Sequence, residues 1–234
     1  MTAPSFPPLF SGLAVEGQID PFDKACVVAA QGCDAGLVVY NLGANSLQAA
    51  LVFAPDVALA DAMAMMPLSG VGFQNALGAL APPEVAVHLE WAGGLRINGA
   101  SCGRLRVASA GIDPAMEPDW LVVGLELPLW PENDTPGDTP DQTALYAEGC
   151  ADVNAVDLLE SWVKHTLVGI NTWIEEGVAP LHKTWRALAH GIGEDIEING
   201  AVGTFLGVDE KFGMLLRTED TTRLIPLTDL LEGN

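Results

Sequence analysis

The stretch VHLEWAGGLRINGASCGRLRV, residues 87–107, decides how this chain folds. Val85, Val87, Leu89 and Trp91 form an alternating apolar run, the pattern of a strand with one face in a core. Ala92-Gly93-Gly94 follows, and glycine takes positive φ without steric penalty, so the chain turns there. Leu95 to Ile97 is a short return strand. Asn98-Gly99 is a strong two-residue hairpin signal, because both central positions of a type I′ turn need positive φ. Cys102, Gly103, Leu105 and Val107 continue into a third strand. From the residues alone this is a meander in a mixed chain of helices and strands.

Working outward, the residues before the meander predict one helix, two strands and two further helices. Asp20 caps the first helix, Pro21 takes its first position, and Asp23 stands where it can answer back to the cap. Phe22, Cys26, Ala29 and Ala30 make its apolar face and Gly32 ends it. Strands follow at residues 36–40 and 47–54, joined by a turn from Asn41 to Ser46, and then helices at 59–65 and 68–80. Met63, Met65 and Met66 read as core filler. After the meander, residues 120–129 form a strand buried at least at its start. Trp130 opens a loop rich in Pro, Gly and Asp that runs to Asp141. Asn154 caps a long helix to about Ile174, Gly177 closes it, and Pro180 opens another that ends before Gly191. Beyond Glu194 the pattern changes to four short strands with tight turns, one at Asn199-Gly200, which suggests a small SH3-like barrel.

These features together resemble the biotin protein ligases and, more distantly, the lipoate ligases and octanoyl transferases. That family carries a Lys-Trp-Pro-Asn-Asp run, a hairpin turn, and a lysine two residues before an Ala-Gly. Glu90-Trp91-Ala92-Gly93-Gly94, then Asn98-Gly99, then Ala100-Ser101-Cys102-Gly103 match it in order. Glu176-Gly177-Val178-Ala179-Pro180 with Trp185 resembles the family's helix junction, and residues 207–216 resemble the central hairpin of its C-terminal barrel. The resemblance implies an α+β fold. It consists of a biotin/lipoate ligase-like mixed sheet flanked by helices over residues 1–190, and an SH3-like small β-barrel over 191–234.

The scaffold residues match and the chemical ones do not. Glu90 stands where the family has lysine, Gly94 where it has aspartate, and Ala100 where it has the catalytic lysine. Gly43-Ala44-Asn45 is present, but the arginine-rich loop that precedes it in the ligases is missing. No Lys or Arg occurs between Lys24 and Arg96. Gly124 matches the first glycine of the family's Gly-x-Gly-Ile-Asn strand, while Glu126 replaces the second and Pro128 the asparagine. Adenylation concentrates negative charge at phosphate and needs cationic or amide donors there. The expectation is therefore a ligase-like chain that no longer forms an acyl-adenylate and instead binds a small carboxylic acid or a protein partner. The contact is placed at Trp91, Gly93, Gly94, Arg96, Gly103, Arg104, Gly124 and Glu126, and Arg106 shares a strand face with Arg104; the other reading of these three arginines is ion pairing with surface carboxylates. The alternative is an active ligase or transferase with relocated residues, using ATP with biotin or lipoate. Cys102 is then the candidate nucleophile, since the related transferases use a cysteine, and Arg104 or Arg96 would have to stabilise its thiolate; those transferases place their cysteine elsewhere in the fold, and the other reading of Cys102 is plain burial in a strand.

Composition narrows the classes further. A formal net charge of −21 with only ten Lys and Arg leaves no basic stripe for a phosphate backbone or an anionic membrane. Apolar runs are broken well short of the roughly 18 to 20 residues of a membrane span. The first residues carry no basic, apolar leader pattern, so a cytoplasmic setting is expected. Cys26, Cys33, Cys102 and Cys150 contain no C-x-x-C pair, and His165, His182 and His190 have no i, i+4 histidine. Neither a disulfide framework nor a metal site is expected, and no resident cofactor.

Overall fold

The computed structural model describes residues 3–131, 141–198, 200–219 and 221–232. The chain enters its main sheet through β1 (Ser11–Ala14), which lies parallel to β2 (Leu37–Leu42). Parallel neighbours need a crossover, and α1 (Pro21–Ala30) supplies it. Asp20 caps α1 as expected, accepting the Phe22 N–H at 2.8 Å. The buried face of α1 is Pro21, Phe22, Ala25 and Ala29. Cys26 is half-covered and Ala30 is exposed, because the face closes after two turns from Phe22 and Ala30 has rotated past it.

β3 (Ser46–Phe53) returns antiparallel to β2, with Asn41 opposite Gln48 and Leu42 opposite Leu47. The ladder thus takes up two residues that turn chemistry alone assigns to the loop. α2 (Leu59–Ala62) and α3 (Met65–Leu80) follow. The meander is β4 (Val87–Leu89), β5 (Gly94–Ile97) and β6 (Ala100–Ser109), with β7 (Leu121–Pro128) completing the sheet. Strand order is β1-β2-β3-β7-β6-β5-β4, and every pair but the first is antiparallel. β4 is shorter than its alternating run, since the chain turns at Glu90–Gly94, where Gly93 N–H donates to the Glu90 carbonyl at 3.0 Å. Gly93 has φ +93°, and a Cβ there would lie 2.6 Å from the Leu105 carbonyl oxygen, so the turn demands glycine twice over. Asn98 (φ 52°) and Gly99 (φ 93°) form the expected left-handed turn.

α4 (Ala155–Glu176) and α3 cover one face of the sheet. Asn154 caps α4 through Val156 and Asp157 N–H groups. The two helices cross closely at Gly72, where a Cβ would stand 2.7 Å from Thr166 Oγ1. Trp162 is fully buried there and its indole N–H donates to the Ser69 carbonyl at 3.0 Å. α1 covers the opposite face with Phe22, Ala25 and Ala29 against Val39, Ala50, Val52, Ala108 and Val122. Met63, Met65 and Met66 are buried in the α3 side core.

α5 (Ala179–Leu188) leads to β8 (Asp195–Ile198), β9 (Ala201–Val208), β10 (Met214–Arg217) and β11 (Thr222–Ile225), an antiparallel sheet in the order β11-β10-β9-β8. It is the small SH3-like element expected after Glu194. Most of the loop from Trp130 to Asp141 and Asn199 of the expected turn lie outside the described residues.

Candidate functional site

Side chains along a strand alternate between faces. On β6, Leu105 and Val107 go to the α3 side, while Arg104 and Arg106 go to the α1 side. This parity separates the residues that sequence reading grouped as one site.

On the α3 side, Trp91 is 4% exposed and its indole N–H donates to the Phe212 carbonyl at 2.7 Å. It is therefore a bolt between the meander and the C-terminal sheet. The cavity beside it, lined by Met66, Gly93, Gly94, Leu105, Trp185 and Phe212 among others, holds about 10 Å³. That is room for about one water molecule and far below the roughly 300 Å³ at which ligand pockets begin. A larger apolar hollow of about 250 Å³ lies elsewhere, between the end of α4 and the start of β2.

On the α1 side the arginines are engaged by the protein's own carboxylates. Arg104 Nε donates to Glu126 Oε2 at 2.7 Å. Arg106 donates from Nη1 to Asp20 Oδ2 at 2.6 Å and to Glu126 Oε1 at 2.9 Å. Its Nε and Nη2 grip the Glu232 carboxylate at 2.9 and 2.7 Å, a bidentate pairing. Asp23, expected to answer its helix cap, lies instead 3.5 Å from Arg106 Nη2. The guanidinium also stands 4.2 Å over the Phe22 ring, a cation–π contact. Donating hydrogen bonds to the Glu232 carboxylate raises the Arg106 pKa above its ordinary value, against the opposing effect of burial. Arg106 faces Gly124 across the ladder, and a Cβ on Gly124 would come within 2.6 Å of Phe22. The glycine that the ligase resemblance assigns to close ligand approach is here occupied by a phenyl ring.

Arg96 belongs to neither group. Its Nε donates to Glu90 Oε1 at 2.5 Å and its Nη1 to the Gly99 carbonyl at 2.6 Å. Gly103 lets β6 approach β7, since a Cβ there would be 2.5 Å from the Glu126 carbonyl oxygen. Cys102 is buried, and burial, with Glu148 and Cys150 nearby, pushes its thiol up to about 12. The groups that act on it are acidic, so the positive neighbour a thiolate requires is not supplied by Arg96 or Arg104. Among the described residues no group of three or more His, Cys, Asp or Glu is placed to hold a metal ion, and no helix is long and apolar enough to cross a membrane.

Sequence reading missed Phe22 and Glu232 as members of this cluster and took Asp20 only as a cap. Asp20 uses one oxygen for the cap and the other for Arg106. Glu232 sits 126 residues from Arg106 and carries no local signal.

A seven-stranded mixed sheet covered by helices on both faces, with a small antiparallel sheet after it, is the frame of the acid-activating ligases that the hairpin motif resembles. The chain belongs to the biotin/lipoate A/B protein ligase family, whose model matches residues 6–187. Residues 192–233 match a domain of unknown function (DUF4444). The chain is similar to a biotin protein ligase-like protein of unknown function from Silicibacter sp. TM1040, at 64% identity over 99% of this chain and 100% of that one, with a TM-score of 0.94. It shares its fold with the biotin protein ligase of Aquifex aeolicus, at 16% identity over 92% and 95% of the two chains, with a TM-score of 0.73. That ligase is also known in complex with biotin and ATP, with a TM-score of 0.69 and 15% identity over 92% and 95%. No curated protein matches the sequence.

Proposed function

We propose that this family member binds a small carboxylic acid or a protein partner without forming an acyl-adenylate. The observation that carries this reading is the fate of the arginines around the meander. Arg96, Arg104 and Arg106 are each held by an internal carboxylate. On the α1 side two arginines face Asp20, Asp23, Glu126 and Glu232, which leaves the cluster with a formal charge of −2. An adenylating site needs the reverse, with donors left free for developing charge on phosphate. Glu90 and Ala100 at the family's lysine positions point the same way. Residues 1–190 act on this reading as the ligand-binding unit and 191–234 as an appended unit. A cytoplasmic setting, no nucleic-acid or membrane partner, and no resident cofactor or metal complete it.

The alternative of relocated catalysis through Cys102 requires a thiolate in a position where burial and acidic neighbours disfavour one. Acid-dependent exchange of labelled pyrophosphate into ATP, run at high protein concentration with biotin, lipoate and octanoate, tests the proposal. No exchange above background is expected. Exchange with any of the three acids overturns it.

A further inference from the structure

The apolar hollow of about 250 Å³ lies on the α4 side of the main sheet, and none of the residues that match the ligase motifs lines it. The buried Phe53, Ala62 and Met65 form its floor, and Leu167 and Ile170 of α4 form a wall. At its rim, Leu9 is 85% exposed and Ile174 69%. Leu9 also holds φ +80°, a left-handed conformation that a bulky side chain adopts only where its surroundings impose it. Phe10 N–H donates to the Pro7 carbonyl at 3.1 Å and Ser11 N–H to the Gly36 carbonyl at 3.0 Å, which fixes the turn around Leu9. Gly36 N–H is held in turn by the Val52 carbonyl at 2.8 Å. Gly36 has φ +85°, and a Cβ on it would collide with the Leu9 carbonyl oxygen. Two left-handed residues are thus kept to hold a leucine at the mouth of an apolar hollow. Burial does not offset the strain, because the Leu9 side chain meets solvent. Strain of this kind and exposed apolar rims both mark binding sites.

Size and charge define the occupant. An apolar cavity of about 150 Å³ holds benzene, so this one has room for about eight carbons, a phenyl ring with a short arm. Asp56 is the one charged residue that lines it, and its side chain is exposed at the rim. Among the described residues no cation is paired with Asp56. The chain's formal charge of −21 adds a field that attracts cations and repels anions. We propose that the hollow is a binding site for a small hydrophobic amine, with its hydrocarbon body against Phe53, Met65 and Ile170 and its ammonium at Asp56. The site is separate from the carboxylate reading above and selects the opposite charge.

The test is calorimetric titration of the full-length chain with 2-phenylethylamine, the neutral 2-phenylethanol and 3-phenylpropanoate, which share one hydrocarbon body. The amine binds, and the carboxylate binds about fivefold or more weakly, since an exposed attraction is exchanged for a repulsion. Asp56→Asn weakens the amine about two- to fivefold, the worth of an exposed ion pair, and leaves the alcohol unchanged. Leu9→Gly keeps the turn, because glycine takes positive φ freely, and weakens amine and alcohol alike by removing part of the rim. Ala54→Phe, at the exposed rim, fills the mouth and abolishes binding of both. Ala35→Phe, also at the rim, must give the same loss should the first variant fold poorly. Amine affinity unchanged in a folded rim variant overturns the inference. So does 3-phenylpropanoate binding as tightly as the amine, or a parent chain that binds no amine.

Discussion

Replacing Arg106 with methionine tests whether the cluster on the α1 side is held by one cation. Methionine keeps the aliphatic packing over Phe22 and removes the guanidinium. Asp20, Asp23, Glu126 and Glu232 then share a small volume with Arg104 as the remaining cation of the cluster. Removing one partner from a buried ion pair costs about 3–5 kcal/mol. Three of the four carboxylates here are 24–41% exposed and Asp23 is 71% exposed, so solvent screens part of that cost. A loss of about 2–3 kcal/mol is the expected net. For a chain of this size that lowers Tm by roughly 4–12 °C. Added salt recovers part of the deficit, because what remains is mutual repulsion. Glu232→Gln in the Arg106→Met background costs less than in the parent chain, with a coupling of about 1 kcal/mol or more. The assay is urea unfolding followed by tryptophan fluorescence at low and high salt. A variant within about 0.5 kcal/mol of the parent, or a deficit indifferent to salt, refutes the reasoning.

Gly124→Ala forces a methyl group against Phe22, and overpacking of this kind costs about 1–3 kcal/mol; pairing it with Phe22→Leu recovers part of the loss in the same unfolding assay. Trp91→Phe removes the hydrogen bond to the Phe212 carbonyl and leaves that carbonyl unsatisfied, for about 1–3 kcal/mol, and hydrogen exchange in β9 and β10 accelerates. Cys102 and Cys26 are raised from 9.0 to about 12 and about 11, so the unfolded chain loses these protons first as pH rises. Stability therefore falls as pH climbs above 9, and Cys102→Ala flattens that fall between pH 9 and 12, read as the urea midpoint against pH.

The meander was legible because its signals are local. Glycine at 93 and 99 and asparagine at 98 dictate turns regardless of what packs on them. The caps of α1 and α4 were legible for the same reason. Strand ends were less so, because Leu42 joins β2 through a partner on the next strand, not through its own preference. The arginines show where local reading stops. Their closeness in sequence allowed an anion site beside Trp91 or ion pairing with carboxylates; the structure shows the ion pairs, and strand parity puts Arg104 and Arg106 on the far side of the sheet from Trp91. Their true partners lie 20 to 126 residues away in the chain. No pattern in a single sequence couples Arg106 to Glu232.

One buried cluster joins Leu105, Trp91 and Trp185 to Phe205, Phe212 and Met214 without a break. The second sheet thus shares its interior with the first, and its four short strands close over the meander as a lid closes over a box it was cut to fit. Such an arrangement melts as one cooperative unit: opening the small sheet uncovers Trp91 and Trp185, which then destabilises the meander they cap. The frontier near residue 190 divides the chain by topology, not by the energetics of unfolding.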